Sequence, residues 1–377
     1  DATILAPWDA RSAAWRIGAD VRTRIDAETL AATLVPAPEK GEQLWANGAQ
    51  GLLVALISQL QRKHGKNWGL QHLAATISAA LANYTHLLDI VTRESPIARA
   101  YLHGADSKMT AGFLAEMASN LTQTISLGVG QHATMRDATD ARTGVWSVDS
   151  WLAGLTPRTA ILGYLPSAPP LSRAWCSSII EQTVRILADR DDCDPSERRV
   201  WLVIDEVPQV GRIPSITAAI ETLRSKSVRV IVGAQSIAQI RTVYDRDTAT
   251  IWASSTATKI IAQTSAPEDQ KWASDLLGER EVERYQRQIS RSGTTGTEAH
   301  TTESWAQVRE RVMMPSDFGR LLHITPRGPR ALVIAGGQAA ILRWPWPAVG
   351  AVRDSRVRAA WMTAGSGYMR PEWGSVP

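Results

Sequence analysis

The sequence predicts an α/β fold: a mainly parallel sheet interrupted by a block of helices. Three observations carry this. Val200-Trp201-Leu202-Val203-Ile204 and Val228-Arg229-Val230-Ile231-Val232-Gly233-Ala234 are short runs without the alternation of a half-exposed strand. They read as strands buried on both faces, as in parallel sheets. Between them, residues 216–223 are apolar at helical spacing behind Pro214 and Ser215, which makes the order strand, helix, strand. From about residue 24 to 145 the pattern is helical throughout.

Taken in order, residues 2–6 form a first short strand. In the helical block, 43–62 places Leu44, Leu52, Leu53, Leu56, Ile57 and Leu60 on one face. Stretches 70–81, 85–92 and 108–129 read likewise, with Gly65 and Ser95-Pro96 as breaks. Charges in the block nearly cancel, so it offers no obvious phosphate-binding face. The core resumes near 147 with a strand at 159–165 and a helix at 171–188. After Gln235 come helices at 236–244 and 248–254, a strand at 258–263 and a helix at 267–277, a βαβα rhythm that implies a parallel sheet. Residues 289–304, rich in Ser, Thr and Gly, are expected to be a mobile loop. Stretches 331–335 and 339–342, joined through Gly336-Gly337-Gln338, are expected to form a hairpin. Beyond Trp346, Arg, Gly and Pro dominate; little order is expected, and Arg353, Arg356 and Arg358 are assigned to a solvated face.

Composition sets the class. The chain has 377 residues, 44% hydrophobic and 21% charged, enough for two globular domains. No stretch has the length and apolarity of a membrane span; the longest candidate, 51–60, is too short and contains Ser58 and Gln59. The first residues read as a strand rather than a secretory signal. Cys176 and Cys193 form no metal or redox motif, so a reducing compartment is the default. Seven His lack ligand spacing, and His64, His72 and His86 read as surface or core residues of the helical region. A net charge of +4 is compatible with a nucleic-acid partner without establishing one. Fifteen Trp against two Phe is unusual; aromatics stack on bases in single-strand channels, yet a Trp is more often core or interface.

The chemistry concentrates where the run 200–204 meets Asp205 and Glu206. In doubly wound α/β folds, ligands sit outside the carboxyl ends of the strands. Two adjacent acids there suit an ATPase: one holds Mg²⁺, directly or through water, and the next orients and deprotonates the attacking water. The same residues also read as a strand ending in two solvated acids. Gln235, after the second strand, is predicted beside Asp205 at the same sheet edge. Its amide senses a γ-phosphate or the attacking water, or else caps the next helix, a role open to Ser236 too. Arg224, near the end of the intervening helix, is either a solvated surface residue or one that projects at a neighbouring subunit.

The pattern Trp-Leu-Val-Ile-Asp-Glu-Val-Pro at 201–208, then Leu223-Arg224, then Val-Gly-Ala-Gln-Ser-Ile-Ala-Gln-Ile at 232–240 resembles the type IV secretion coupling proteins, the TraD/TraG/TrwB-like DNA-pumping ATPases of bacterial conjugation. Further pieces match in the same order: Ile4-Leu5-Ala6-Pro7-Trp8-Asp9-Ala10-Arg11 with Trp15, Ser147-Val148-Asp149-Ser150-Trp151-Leu152, Leu277-Gly278-Glu279-Arg280-Glu281-Val282, and 309–315. Together they span most of residues 1–347. Ala6 stands where the family has Asn; Ser225 and Ser227 replace a basic residue and a Gly.

The resemblance implies a RecA-like P-loop NTPase core, partial here, with an inserted all-α domain. It divides the chain into 1–23 and 146–347 (nucleotide-binding domain), 24–145 (all-α domain) and 348–377 (tail). It implies Asp205 as the Mg²⁺ residue, Glu206 as general base, Gln235 as γ-phosphate sensor and Arg224 as a finger in trans. ATP and Mg²⁺ are the implied cofactors. The implied partners are DNA, a relaxase or effector substrate, secretion-channel components and further copies in a homo-hexamer. The implied place is the cytoplasmic face of the bacterial inner membrane. No Gly-x-x-x-x-Gly-Lys-Ser/Thr occurs in the chain, and Gly65-Lys66 lacks the preceding phosphate-cradling Gly. The expectation is a piece of a longer protein that starts just after the phosphate loop, with the membrane helices in the missing part, and that binds ATP weakly alone. Rival expectations are another DNA motor of the FtsK or HerA type, and a non-catalytic docking module.

Overall fold

Residues 2–38, 42–137, 144–192, 199–292, 298–350 and 354–363 are described by the computed structural model. They fall into two compact units, Asp1–Gly233 with Ala351–Pro377, and Ala234–Gly350. The first unit opens with β1 (Ala2–Leu5), β2 (Ala14–Trp15) and a short helix α1 (Ile17–Asp20). The helical block follows as α2 (Arg24–Leu34), α3 (Leu44–His64), α4 (Leu70–Ala82), α5 (Tyr84–Glu94) and α6 (Lys108–Asp137). Then come β3 (Val145–Trp146), α7 (Val148–Leu152), β4 (Thr159–Leu162), α8 (Pro169–Ala188), β5 (Val200–Ile204), α9 (Pro214–Thr222) and β6 (Val228–Val232). Three parallel pairs result: β1 with β4, β2 with β3, and β5 with β6.

Local chemistry starts the helices where the pattern places them. Thr23 caps α2 reciprocally: its hydroxyl accepts from Asp26 N, and the Asp26 carboxylate accepts from Thr23 N. Pro169 and Pro170 open α8, where a missing N–H is harmless. Arg62 and Lys63 close α3 with charges that suit its negative end. One hydrophobic cluster then runs from the sheet into the helical block, taking in Leu5, Trp15, Leu52, Phe113, Trp146 and Trp175. Trp175 stands edge-on to Trp15 and donates to Leu5 O at 2.9 Å. Much of the Trp content is therefore core: Trp15, Trp68, Trp146 and Trp175 are among the largest fully buried side chains. Burial also pushes the Cys176 thiol up to about 12; Cys193 lies outside the described residues.

The chain enters the helical block after β2 and leaves it before β3, and one buried carboxylate ties both crossings. Asp20 accepts from Trp15 Nε1 (2.7 Å), Val148 N (3.0 Å) and Asp149 N (3.0 Å). Burial raises its pKa against the pull of these three donors. Arg185 of α8 adds a bond to Asp20 O (2.8 Å) and an ion pair with Asp26 (2.8 Å).

Several expectations need correction. The strands at 200–204 and 228–232 are not buried on both faces: Trp201, Val203 and Ile231 are 54%, 65% and 49% exposed. Helices α8 and α9 cover the face that holds Val200 and Val228, and the opposite apolar face has no such cover among the described residues. Residues 289–304 do not form a loop: 289–292 and 298–304 belong to two long strands, and 293–297 lie outside the described residues. Polar strands need partners rather than apolar runs, and the cross-strand ladder supplies them. Part of the tail is ordered too, because 354–363 packs against the 7–11 turn; Arg353 lies outside the described residues.

The second unit holds α10 (Ile237–Tyr244), α11 (Arg246–Ser255), β7 (Thr258–Ile261), α12 (Pro267–Leu277), β8 (Glu279–Ser292), β9 (Glu298–Arg311), α13 (Pro315–Leu321), β10 (Arg330–Ala335) and β11 (Gln338–Arg343). Here β7, expected in a parallel run, pairs antiparallel with β10 in the order β11-β10-β7. Gly336 (φ 56°) and Gly337 (φ 76°) make the tight turn between β10 and β11, both in the left-handed region such hairpins require. Ala273, Met313, Phe318, Leu322 and Leu332 form its core. The β8–β9 ribbon is laced by Arg280–Glu310, Arg284–Glu310 and Arg309–Glu281 pairs around a Tyr285–Trp305 edge contact.

Candidate functional site

The parallel register of β5 and β6 builds the site. Ile204 stands opposite Val232, so the residues leaving both strands meet at one edge. There Gly233 N donates to Ile204 O (2.8 Å) and Val207 N donates to Gly233 O (2.9 Å). Asp205 and Glu206 lie inside this backbone clasp, followed by a turn in which Gln209 N bonds Glu206 O (3.1 Å). The approach is close enough that a Cβ on Gly233 would lie 2.1 Å from Asp205 O. Val207, directly after the two acids, is fully buried and anchors the turn. Asp205 stays exposed and Glu206 half-buried, so both carboxylates are reachable.

A groove of about 880 Å³ lies between β4 and β5. No hydrogen-bonded ladder joins these two strands among the described residues. Ile179, Ile180 and Thr183 of α8 line it between the two strands. Helix α8 also shows that β4 and β5 point the same way. Near its start, just after β4, Arg173 donates to Gln209 O beyond β5 (3.0 Å), while its last turns bring Val184 and Leu187 against Val200 and Val228, where β5 and β6 begin. The groove therefore has an acidic end at Asp205 and Glu206 and a basic end at Arg158 and Arg199. Sequence reasoning passed over these two arginines; each directly precedes a strand, and that position was the available signal.

Arg224 is not brought to Asp205. It is exposed in the turn after α9, where Ser227 N bonds Arg224 O and Ser227 O accepts from Val200 N. That is the opposite edge of the β5–β6 pair. Five residues of strand separate the edges, about 16 Å at ~3.3 Å per residue. Ser227, standing where the resemblance leads one to expect Gly, adopts φ 56°. Gln235 follows Gly233 by two residues, is exposed, and belongs to the second unit. The capping role open to it falls to Ser236, whose hydroxyl accepts from Ala238 N (3.1 Å). Among the described residues no cluster of three or more His, Cys, Asp or Glu is arranged to hold a metal. Asp205 nevertheless offers what Mg²⁺ asks of a protein, one or two carboxylates at an open edge, the remaining ligands being water and phosphate.

Comparison with known proteins agrees with this architecture. A family described as the type IV secretion-system coupling protein DNA-binding domain matches residues 1–329. Coupling protein TraD of Escherichia coli (strain K12) is 25% identical over 292 residues, which cover 74% of this chain and 37% of that protein. The chain thus spans little more than a third of the curated relative it matches. Among solved structures, the bacterial conjugative coupling protein TrwBdeltaN70 in its unbound monoclinic form aligns with a TM-score of 0.65 and 21% identity, covering 94% of this chain and 76% of that one. TrwB in complex with ADP and Mg²⁺ aligns with a TM-score of 0.64 and 20% identity, covering 95% and 76%.

Proposed function

This chain belongs to the type IV secretion-system coupling protein family and has the RecA-like α/β core with an inserted all-α block, and from that premise we propose that it is the ATPase portion of a coupling protein, a motor that hydrolyses ATP to move DNA into a secretion channel. The observation that carries this reading is the adjacent Asp205-Glu206 pair, held at the carboxyl edge of β5 by the Gly233 clasp and opening on the groove. The match to coupling proteins favours this over a double-strand motor of the FtsK or HerA type.

In this reading Asp205 holds Mg²⁺, directly or through water. When bound there with ATP, Mg²⁺ would supply positive charge against the phosphate oxygens. Glu206, one residue on, takes the proton of the attacking water. Gln235 reports the γ-phosphate to the second unit, whose first residues it occupies. Arg224, at the far edge of the β5–β6 pair, serves the nucleotide of the next subunit in a homo-hexamer. The cargo is DNA with a relaxase or effector protein, handed to channel components. The place is the cytoplasmic face of the bacterial inner membrane. Among the described residues no helix is long and apolar enough to cross a membrane.

The test uses an ATP-hydrolysing form of the protein. Glu206→Gln keeps the hydrogen bond to water and loses the proton acceptor, so nucleotide binding should persist while hydrolysis stops. Arg224→Ala should abolish turnover with ATP affinity nearly intact, since such fingers contribute roughly 10³–10⁵ in rate. Mixed rings of the two inactive variants should regain activity, because an intact Arg can sit beside an intact Glu. Parent-level hydrolysis by Glu206→Gln would remove the general-base role. No recovery in confirmed mixed rings would remove the trans role of Arg224.

A further inference from the structure

Residues 354–363 return to the first unit and lie along the turn after β1. Ala10 N donates to Val357 O (2.8 Å) and Ala359 N to Trp8 O (3.0 Å). Val357 N donates to Asp9 Oδ2 (3.1 Å), and the Arg11 guanidinium donates to Asp354 O (2.9 Å). Asp9 is itself fixed by Arg11, through bonds of 2.7 and 2.8 Å. Trp361 Nε1 reaches Pro7 O at 2.8 Å. The same indole lies against α6: a Cβ on Gly130 would lie 2.8 Å from its ring. One side chain therefore touches both the turn that ends β1 and the last helix of the helical block.

The block is otherwise joined to the rest of the unit inside the main hydrophobic cluster, where α6 packs on β2 and α8 and Asp20 ties Trp15 to Val148 and Asp149. The C-terminal segment adds a second tie of a different kind. The Asp20 stitch is buried and sits inside the main hydrophobic cluster. The segment is mostly exposed; only Ala359 is buried, and Trp361 and Met362 are half-covered. Few buried apolar contacts and solvent-exposed backbone bonds are the marks of a region that opens before the rest of a protein does.

We propose that residues 354–363 are a releasable clasp, with Trp361 as its pin, that braces α6 of the helical block against the β1 turn. Release frees the block at this point and leaves the Asp20 stitch closed. The clasp stands on geometry alone and does not depend on the ATPase reading.

Gly130 makes the proposal testable from both sides of the contact. Alanine in place of glycine within a helix is ordinarily favourable, but here its methyl meets the indole. Hydrogen–deuterium exchange on the full chain reads the amides of Ala10, Val357 and Ala359, with Ile204 in β5 as the internal reference. Trp361→Ala and Gly130→Ala should each speed exchange at the first three amides about tenfold or more, with Ile204 unchanged. The double variant should be no faster than either single one, because both substitutions remove one contact. Three results overturn the clasp: protection at Val357 and Ala359 unchanged in either single variant, additive effects in the double variant, or loss of protection at Ile204 in Trp361→Ala, which would make the residue a support of the whole unit.

Discussion

Gly233→Ala tests the geometry of the candidate site most directly. The added Cβ would lie 2.1 Å from Asp205 O and 3.1 Å from its carbonyl carbon. Real Cβ atoms essentially never come closer than 3.0 Å to such atoms, so the two backbones must part by about 0.9 Å. The bonds that close this edge, Gly233 N to Ile204 O at 2.8 Å and Val207 N to Gly233 O at 2.9 Å, would stretch to roughly 3.7 Å, past useful range. Each contributes about 0.5–1.5 kcal/mol, so the loss should be about 2 kcal/mol. The assay is urea unfolding followed by tryptophan fluorescence, with a lower midpoint at unchanged slope. Gly350→Ala is the control, since a Cβ there meets nothing within 4 Å. In an ATP-hydrolysing form the same shift displaces Asp205 and Glu206, and a misplacement of this size lowers turnover on the order of a hundredfold. Equal midpoints for Gly233→Ala and the control would refute the close approach, and with it the account of what holds the two acids in place.

Ser227→Gly should stabilise the chain, because a non-glycine residue at φ 56° costs about 1–2 kcal/mol and glycine returns only about 0.5–1 kcal/mol of that as backbone entropy; a rise of roughly 0.5–1 kcal/mol in unfolding free energy checks it. Asp20→Asn replaces one acceptor oxygen by a donor facing Trp15 Nε1, Val148 N or Asp149 N, and should cost about 1–3 kcal/mol. Its pH dependence has a definite sign: the folded pKa of Asp20 is raised by burial, so its titration favours folding most below the ordinary value of 3.8, and that contribution is lost as pH rises through the folded value. The deficit of Asp20→Asn against the parent should therefore be largest in acid and shrink upward from there, as read by urea unfolding across that window; a deficit that grows with pH would reverse the assignment.

Much of the fold was legible because its signals are local. The helices of the 24–145 block follow apolar residues at 3.6-residue spacing, and Gly336-Gly337-Gln338 announces a hairpin, whose turn the structure narrows to the two glycines. The strand at 200–204 and the acids at its tip are equally visible, because a continuous apolar run stops at two carboxylates. What stayed hidden depends on residues distant in the chain. Residues 289–304 have loop-like composition, yet Tyr285–Trp305 and the arginine–glutamate pairs tie the flanking strands into a ribbon across 20–30 residues. Exposure on β5 hides as well, since an apolar run reads the same whether one or both of its faces are covered.

Local sequence was enough for the order of the longer elements up to α12, the Asp205-Glu206 pair and the family likeness, because period, turn residues and charge at a strand end are properties of neighbours, but not for the β8–β9 ribbon. Tertiary structure alone decided which residues share an edge. The parallel register puts Gly233 against Asp205 and carries Arg224 to the other end of the strands. It also made Asp20 a stitch between residues 128 and 129 positions apart, and laid Trp361 across Pro7 and Gly130. Each of these contacts closes a long loop. The free energy that selects them comes from burial and backbone pairing across the whole unit, and no window of the sequence contains both partners.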